Sequence, residues 1–90
     1  MRQWTMKLPR ELRHGGTTYR IEVIGVERSD RTWEGRLRFS DGDEKSVTTG
    51  EETSQPNRDA LEYWATGLEV VYLEGALQRA IDAANRGGSS

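Results

Sequence analysis

The chain has 90 residues, 33% of them hydrophobic and 31% charged, and its formal net charge is -2 at pH 7. This length accommodates one domain with a modest core, and the apolar and aromatic content is typical of a chain that folds rather than one that stays disordered. Cysteine is absent, which excludes disulfides, thiolate catalysis and cysteine-ligated metal sites.

The first two predicted strands form a hairpin. Apolar residues occupy every second position from Trp4 to Leu8, which is the period of a half-buried strand. Pro9 has no backbone N–H to donate, so we expect this strand at the edge of a sheet. The Gly15-Gly16 pair indicates a tight turn, and the second predicted strand follows over residues 17–27.

The apolar pattern of the second strand slips by one position near its middle. Residues 19–23 carry apolar side chains at odd positions, whereas Ile24 and Val26 continue at even positions, with Gly25 between them. An inserted residue would return the later apolar pair to the core, and glycine is common at such insertions. We therefore predict a β-bulge within residues 23–26.

Two further strands and an extended connector follow. The third strand covers residues 32–40, in which apolar or glycine positions alternate with charged ones and make the strand pattern unambiguous. A turn over residues 41–43 leads into a short fourth strand over residues 44–49, which points Val47 inward. Residues 50–56 are then expected to form an extended connector.

The C-terminal segment has helical periodicity. Asn57 is a suitable N-cap, and apolar residues at spacings of three and four predict two helices, residues 58–66 and 69–86, that meet at an angle at Gly67. Gly67 would end the first helix in the left-handed conformation. There are two alternatives: one unbroken helix that tolerates the glycine, and a fifth strand over residues 68–73, which are rich in strand formers.

Together these elements predict an α+β fold. We expect a four-stranded antiparallel β-sheet in meander order, with one face covered by a C-terminal helix or two helices, in the order ββββα(α). Residues 1–86 would form a single domain and residues 87–90 a disordered tail. The predicted core consists of apolar side chains on the covered face of the sheet and on the helices, namely Trp4, Met6, Leu8, Tyr19, Ile21, Val23, Trp33, Leu37, Phe39, Val47, Leu61, Trp64, Leu68, Leu73, Leu77 and Ile81.

The sequence carries no signal for export or for membrane insertion. Residues 1–16 lack the apolar run of a signal peptide, and no segment is long and apolar enough to span a bilayer. A chain without cysteine is also compatible with a reducing compartment. We therefore expect a cytoplasmic protein that does not bind membranes.

We find no group of residues that would support catalysis. His14 is the single histidine and lies in a glycine turn, so it lacks partners for a zinc site or a triad. Residues 41–44 concentrate carboxylates but lack the spacing of a calcium loop. No serine lies in a G-x-S-x-G motif, and no Gly-rich phosphate loop is present. We therefore expect no enzyme, no catalytic residues, no metal and no cofactor.

The two halves of the chain carry opposite charge. Residues 1–40 contain nine Lys or Arg against five acidic residues, a net +4, whereas residues 41–90 contain four against ten, a net -6. The uncovered face of the sheet would carry basic side chains at alternating positions, where they could follow a phosphate backbone. These candidate binding residues are Lys7, Arg20, Arg36 and Arg38.

Acidic residues on the same face and the lack of an aromatic side chain for stacking argue against nucleic acid as the first choice. Single-stranded nucleic-acid binding is therefore the alternative. Tyr63 and Tyr72 fit neither buried stripe of the helices, and partly exposed aromatic residues are favoured at protein interfaces. We predict a small protein–protein interaction module with an unknown partner or a second copy, and the short fourth strand offers a two-fold edge for a homodimer.

Overall fold

Five strands and two helices make up the part of the chain that the computed structural model describes, residues 2–42 and 45–88. All strand pairs are antiparallel. The elements in chain order are β1 (Gln3–His14), β2 (Thr17–Glu27), β3 (Trp33–Ser40), β4 (Ser46–Thr48), β5 (Thr53–Gln55), α1 (Arg58–Thr66) and α2 (Val70–Gly88). The predicted α+β fold, a meander sheet followed by C-terminal helices, is confirmed, with one strand added.

The sheet follows the chain order from β1 to β4, and β5 pairs with β3 as well. β4 lies beside residues 38–40 of β3, and β5 lies beside residues 33–35 of the same strand. Two short strands thus share one edge of β3. β1 lies at the opposite edge of the sheet, as the proline within it predicted.

The additional strand arises in the predicted connector rather than in the helical segment. Just before β5, the N–H of Glu52 donates a hydrogen bond to the carbonyl of Gly35 in β3 at 2.8 Å. β5 begins at the next residue and pairs with the same strand. The alternative of a strand over residues 68–73 is wrong because α2 begins at Val70. The strand-forming residues at that position are helical because apolar residues from Leu73 onward recur at spacings of three and four. This spacing buries one face of the helix against the sheet.

Several predicted boundaries move by a few residues. β4 is shorter than the predicted range 44–49, and the Asp43 and Glu44 part of the predicted turn and strand lies outside the described residues. α2 continues to Gly88, which places two residues of the predicted tail in the helix. Ser89 and Ser90 lie outside the described residues, so the tail beyond the helix stays a prediction.

The predicted break between the helices is confirmed, and its cap differs in detail. The Asn57 side chain accepts a hydrogen bond from the N–H of Ala60 at 2.8 Å, so α1 begins at the expected N-cap. Gly67 ends α1, which makes the unbroken helix wrong. Its φ is -93° and its N–H donates to the carbonyl of Trp64 at 3.2 Å, so the helix ends without the predicted left-handed residue.

The predicted β-bulge within residues 23–26 is wrong, because β2 pairs in uninterrupted register with both neighbours there. Gly25 stays on the covered face, directly opposite Gly35. A Cβ atom on Gly25 would lie 2.6 Å from Cδ2 of Leu61, and one on Gly35 would lie 2.7 Å from Cδ1 of the same side chain. The two glycines therefore form a notch that accepts the fully buried Leu61 of α1, and this packing keeps the strand regular.

The irregular segment lies in β1 instead. The register with β2 shifts between Lys7 and Glu11, so that residues 8–10, a proline among them, face the single residue Ile21. β1 then resumes its pairing and buries Leu12, which is 4% exposed. The sequence pattern missed this residue because it extended the first strand only to the proline.

The core follows the predicted pattern closely. Among the described residues, the buried apolar side chains are Leu12, Ile21, Val23, Trp33, Leu37, Phe39, Leu61, Ala65, Leu73, Ala76, Leu77 and Ala80. Eight of these belong to the predicted core. The other eight predicted core residues are half-buried and pack against the buried cluster, namely Trp4, Met6, Leu8, Tyr19, Val47, Trp64, Leu68 and Ile81. Three helix alanines, Ala65, Ala76 and Ala80, belong to the same buried cluster.

The glycine notch predicts a steric penalty at Gly25. Gly25→Ala should lower the free energy of unfolding by about 1–3 kcal/mol, because the added methyl group overlaps the buried Leu61. Urea denaturation followed by Trp fluorescence measures the change. The cost should shrink when Leu61→Ala is combined with it, since residues in contact are not additive.

The matched control is Gly50→Ala, because no atom lies within 4 Å of a Cβ placed there. This variant should be at least as stable as the wild type, within about 0.5 kcal/mol. A Gly25→Ala protein that unfolds at the same urea concentration as the Gly50→Ala protein would contradict the notch.

Candidate functional site

An open groove lies at the junction of the two helices, and we call it the helix-junction groove. Both tyrosines predicted from the sequence line it, although they are nine positions apart in the chain. Tyr63 is 82% exposed and Val71 is 80% exposed, which is unusual for large apolar side chains. The complete lining is Tyr63, Trp64, Gly67, Leu68, Glu69, Val71 and Tyr72.

Helical geometry explains why these side chains stay in solvent. α1 buries Leu61 and Ala65 against the sheet, and Tyr63 lies midway between them, so it projects from the opposite side of the helix. α2 buries Leu73, and Val71 lies two positions before it, which again turns the side chain away from the core. The short link between the helices brings the two outward sides together in one groove.

Tyr72 is held in place by three neighbours. Its hydroxyl donates a hydrogen bond to Oε1 of Glu52 at 2.5 Å, and Nη2 of Arg79 donates to the same oxygen at 2.5 Å. The guanidinium of Arg79 lies 5.8 Å from the centre of the Tyr72 ring, within the range of a cation–π contact. Trp64 meets the ring edge to face, with centroids 6.4 Å apart. The aromatic wall of the groove is therefore pre-ordered.

The Glu52 carboxylate is the anchor of this arrangement. Its side chain is only 8% exposed, and it belongs to the connector before β5, so it ties that connector to α2. Burial raises the pKa of the Tyr72 hydroxyl, and the hydrogen bond to the Glu52 carboxylate raises it further, because ionising the phenol would place two negative charges side by side.

The uncovered face of the sheet carries the predicted basic residues in a setting rich in carboxylates. Nη2 and Nε of Arg38 donate to Oε1 of Glu22 at 2.6 and 3.1 Å, and the register of β2 and β3 places these two residues directly opposite each other. Nε of Arg20 lies 3.9 Å from Oε2 of Glu11. Lys7 is exposed and lies directly opposite Glu22 in the pairing of β1 with β2.

Arg36 shares the carboxylate of Glu34 with Arg28. Arg36 donates to Oε1 of Glu34, and Nη2 of Arg28 donates to Oε2 at 2.9 Å. The hydrogen bond from Arg36, together with that from Arg28, lowers the pKa of Glu34. Arg28 also contacts Glu51. Three of the four predicted basic residues thus have a carboxylate partner, and the structure places all four on the sheet face opposite the helices, away from Tyr63.

Three residues of the groove region were not singled out from the sequence. Val71 has a readable signal, since it lies off the buried stripe of α2 as the tyrosines do. Glu52 and Arg79 are 27 positions apart, and nothing in the local pattern of either residue indicates that they meet. Their pairing depends on the path of the connector between β4 and β5, which only the folded chain specifies.

Within residues 2–42 and 45–88, His, Asp and Glu side chains do not assemble into a group of three that would hold a metal ion. Part of the predicted carboxylate turn over residues 41–44 lies outside these ranges. Neither helix in the described ranges has the length and apolar character needed to cross a membrane. The expectation of a protein that is not an enzyme stays a prediction.

Two surfaces therefore stand out, an apolar groove on the helical side and a charged, largely ion-paired face on the sheet side. Comparison of the chain with protein-family models, with curated proteins and with solved structures gave no match.

The contact between Tyr72 and Glu52 predicts a measurable dependence of stability on pH. Because the pKa of Tyr72 is raised in the folded protein, its contribution is complete below about pH 10 and is lost as the pH rises above that value. Tyr72→Phe should lower the free energy of unfolding by about 1 kcal/mol at pH 7, and should flatten the loss of stability in alkali. Urea denaturation at a series of pH values measures both effects.

Tyr63→Phe is the matched control at pH 7, since its exposed ring loses only a solvent-facing hydroxyl. Its unfolding free energy should stay within about 0.5 kcal/mol of the wild-type value. Equal stability of the Tyr72→Phe and wild-type proteins at neutral pH would show that the hydrogen bond to Glu52 contributes nothing.

Proposed function

We propose that this protein is a non-enzymatic protein–protein interaction module whose helix-junction groove receives an apolar side chain of a partner. The observation that carries the proposal is the exposure of Tyr63 and Val71 in one groove, at 82% and 80%. Contiguous exposed apolar surface on a small protein commonly marks an interaction site. Tyr and Trp are also enriched among the residues that dominate binding energy.

The ordering of the groove wall supports this proposal. Tyr72 is fixed by Glu52 and Arg79 and by the edge of Trp64. A side chain that is already immobile loses little conformational entropy when a partner covers it. Tyr63 supplies a second aromatic surface, which is 82% exposed. The groove therefore combines an aromatic side chain held by its neighbours with one that is open to solvent.

Charge indicates the chemistry of the partner. Glu69 lines the groove and the exposed Glu62 precedes Tyr63, and residues 41–90 as a whole have a net charge of -6. An apolar anchor flanked by Lys or Arg would match this setting, since complementary potentials favour specific association. A second copy docked symmetrically through the same groove would bring the acidic borders together. β4, with three residues, also offers little backbone for a two-fold strand pair.

Single-stranded nucleic-acid binding through Lys7, Arg20, Arg36 and Arg38 remains the alternative. The carboxylates that contact three of these four residues would compete with phosphate groups. On the uncovered face, the described strands present Ile24 and Val26 as apolar residues and no aromatic side chain on which a base would stack. The protein-interaction proposal therefore has the stronger support.

The proposal predicts the kind of peptide that the groove selects. Selection of random peptides on the immobilised protein should enrich sequences with an aromatic or aliphatic residue flanked by Lys or Arg. Calorimetric titration of a selected peptide should show at least tenfold weaker binding to the Tyr63→Ala, Val71→Ala double variant. Gln78→Ala is the control, because this exposed α2 residue bonds only within its helix to Asp82, and it should bind as the wild type does.

Three results would count against the proposal. If the selected peptides bound the double variant and the wild type equally, the groove would not be the binding surface. If sedimentation showed a dimer that the double variant abolished, a second copy would replace the proposed partner. Salt-sensitive binding of labelled single strands, lost on combining Arg36→Glu with Arg38→Glu, would favour the nucleic-acid alternative instead.

A further inference from the structure

A second surface lies along the seam between α1 and the free edge of β1, and we call it the β1 seam. The start of α1 lies near Trp4, where the guanidinium of Arg58 is 5.7 Å from the indole ring. The end of α1 lies near Met6 and Leu8. Two hollows mark these positions, one lined by Arg2, Gln3, Trp4, Trp33, Asn57, Arg58 and Asp59, and the other by Met6, Leu8, Pro9, Arg10, Ala65, Thr66 and Leu68.

The backbone of β1 is available for pairing along this seam. Among the described strands, β1 pairs with β2 alone. The N–H of Glu27 donates to the carbonyl of Arg2, and the register sets Gln3 opposite Val26. Backbone groups alternate in direction along an antiparallel strand, so Gln3, Thr5 and Lys7 direct their N–H and carbonyl groups away from β2. These residues form a free edge that ends before Pro9.

The side chains of this segment have two distinct faces. Trp4, Met6 and Leu8 are half-buried on the side of α1 and form the floor of the seam. Lys7 is exposed on the other face of the sheet, together with Thr5. A strand added to the edge would follow the same alternation, because side chains of neighbouring strands share a face. Its apolar residues would cover the floor, and its other residues would lie beside Lys7.

The edge strand β1 carries a net positive charge. Between Gln3 and His14 the strand carries Lys7, Arg10 and Arg13 against the single acid Glu11, and Arg2 precedes it. Two copies of β1 paired edge to edge would bring these cations together, and lysine or proline on an edge strand is a common obstacle to such self-pairing. An acidic strand would instead neutralise the edge.

We infer that the β1 seam binds an extended acidic segment of another protein as an added strand of the sheet. The occupant alternates apolar residues, which pack on Trp4, Met6 and Leu8, with Asp or Glu residues, which lie on the face of Lys7. The free backbone groups of Gln3, Thr5 and Lys7 pair with its main chain. Backbone hydrogen bonds supply affinity and the alternate side chains supply specificity in this mode of recognition.

The test uses an acetylated, amidated peptide in which Glu and Val alternate over seven positions. Binding to the isotope-labelled protein is followed by NMR. The amide protons of Gln3, Thr5 and Lys7 should exchange about tenfold more slowly at a peptide concentration near ten times Kd. A peptide with Lys in place of every Glu should bind more weakly, and added salt should weaken the Glu peptide.

Two variants test the edge itself. Lys7→Glu should weaken the Glu peptide about fivefold, because it reverses an exposed charge beside the occupant; Lys45→Glu, exposed outside the seam, should leave the affinity unchanged. Thr5→Pro should abolish slow exchange along the edge, since it removes an outward N–H without removing a bond to β2. Thermal unfolding confirms that each variant is folded.

The inference is overturned if the Glu peptide gives no amide protection, if the Lys peptide binds equally well, or if protection appears away from β1. Protection of the same amides that rises with protein concentration in the absence of peptide would assign the edge to a second copy and would also overturn it. The Tyr63→Ala, Val71→Ala protein should bind the Glu peptide as the wild type does, so failure of the helix-junction proposal leaves this result unaffected.

Discussion

The insertion of Leu61 between Gly25 and Gly35 is the contact on which the arrangement of the molecule depends. A side chain at either glycine would occupy the position of the leucine methyl groups, and the densely packed interior would have no alternative space for it. The notch lies near the C-terminal end of β2 and the N-terminal end of β3, and it fixes where α1 crosses the sheet. Leu61 is the largest fully buried side chain of α1, which also contacts β1 and β5.

Both candidate surfaces follow from that position. Because α1 lies close against the sheet, one of its sides borders the free edge of β1, and its outward side, with Tyr63, faces solvent beside the start of α2. The two surfaces differ in charge, since the edge strand is basic and the borders of the helix-junction groove are acidic. The opposite net charges of the two halves of the chain thus appear in the fold as a basic β1 seam and an acidic helix-junction groove.

Alternation and helical spacing were sufficient to predict four of the five described strands, the two helices and most of the core. These two patterns gave a wrong prediction where a residue's position depends on its packing contact and not on its polarity. Gly25 on the covered face resembles a break in the apolar pattern, so periodicity indicated a bulge where the structure has a notch. Leu12 was missed because the predicted first strand ended at the proline, although Leu12 continues the even-numbered apolar positions of that strand. Tyr63 and Tyr72 were predictable as surface residues, whereas the pairing of Glu52 with Arg79 depends on the path of a connector.

Leu68 belongs to both surfaces, because it lines the helix-junction groove and also the hollow beside Met6 and Leu8. A ligand that shifts this side chain in one site changes the shape of the other. The two occupancies are then thermodynamically linked, and linkage is reciprocal: whatever factor the first ligand applies to the affinity of the second, the second applies to the first. If both proposed partners bind, Leu68 is the side chain through which each would change the affinity of the other.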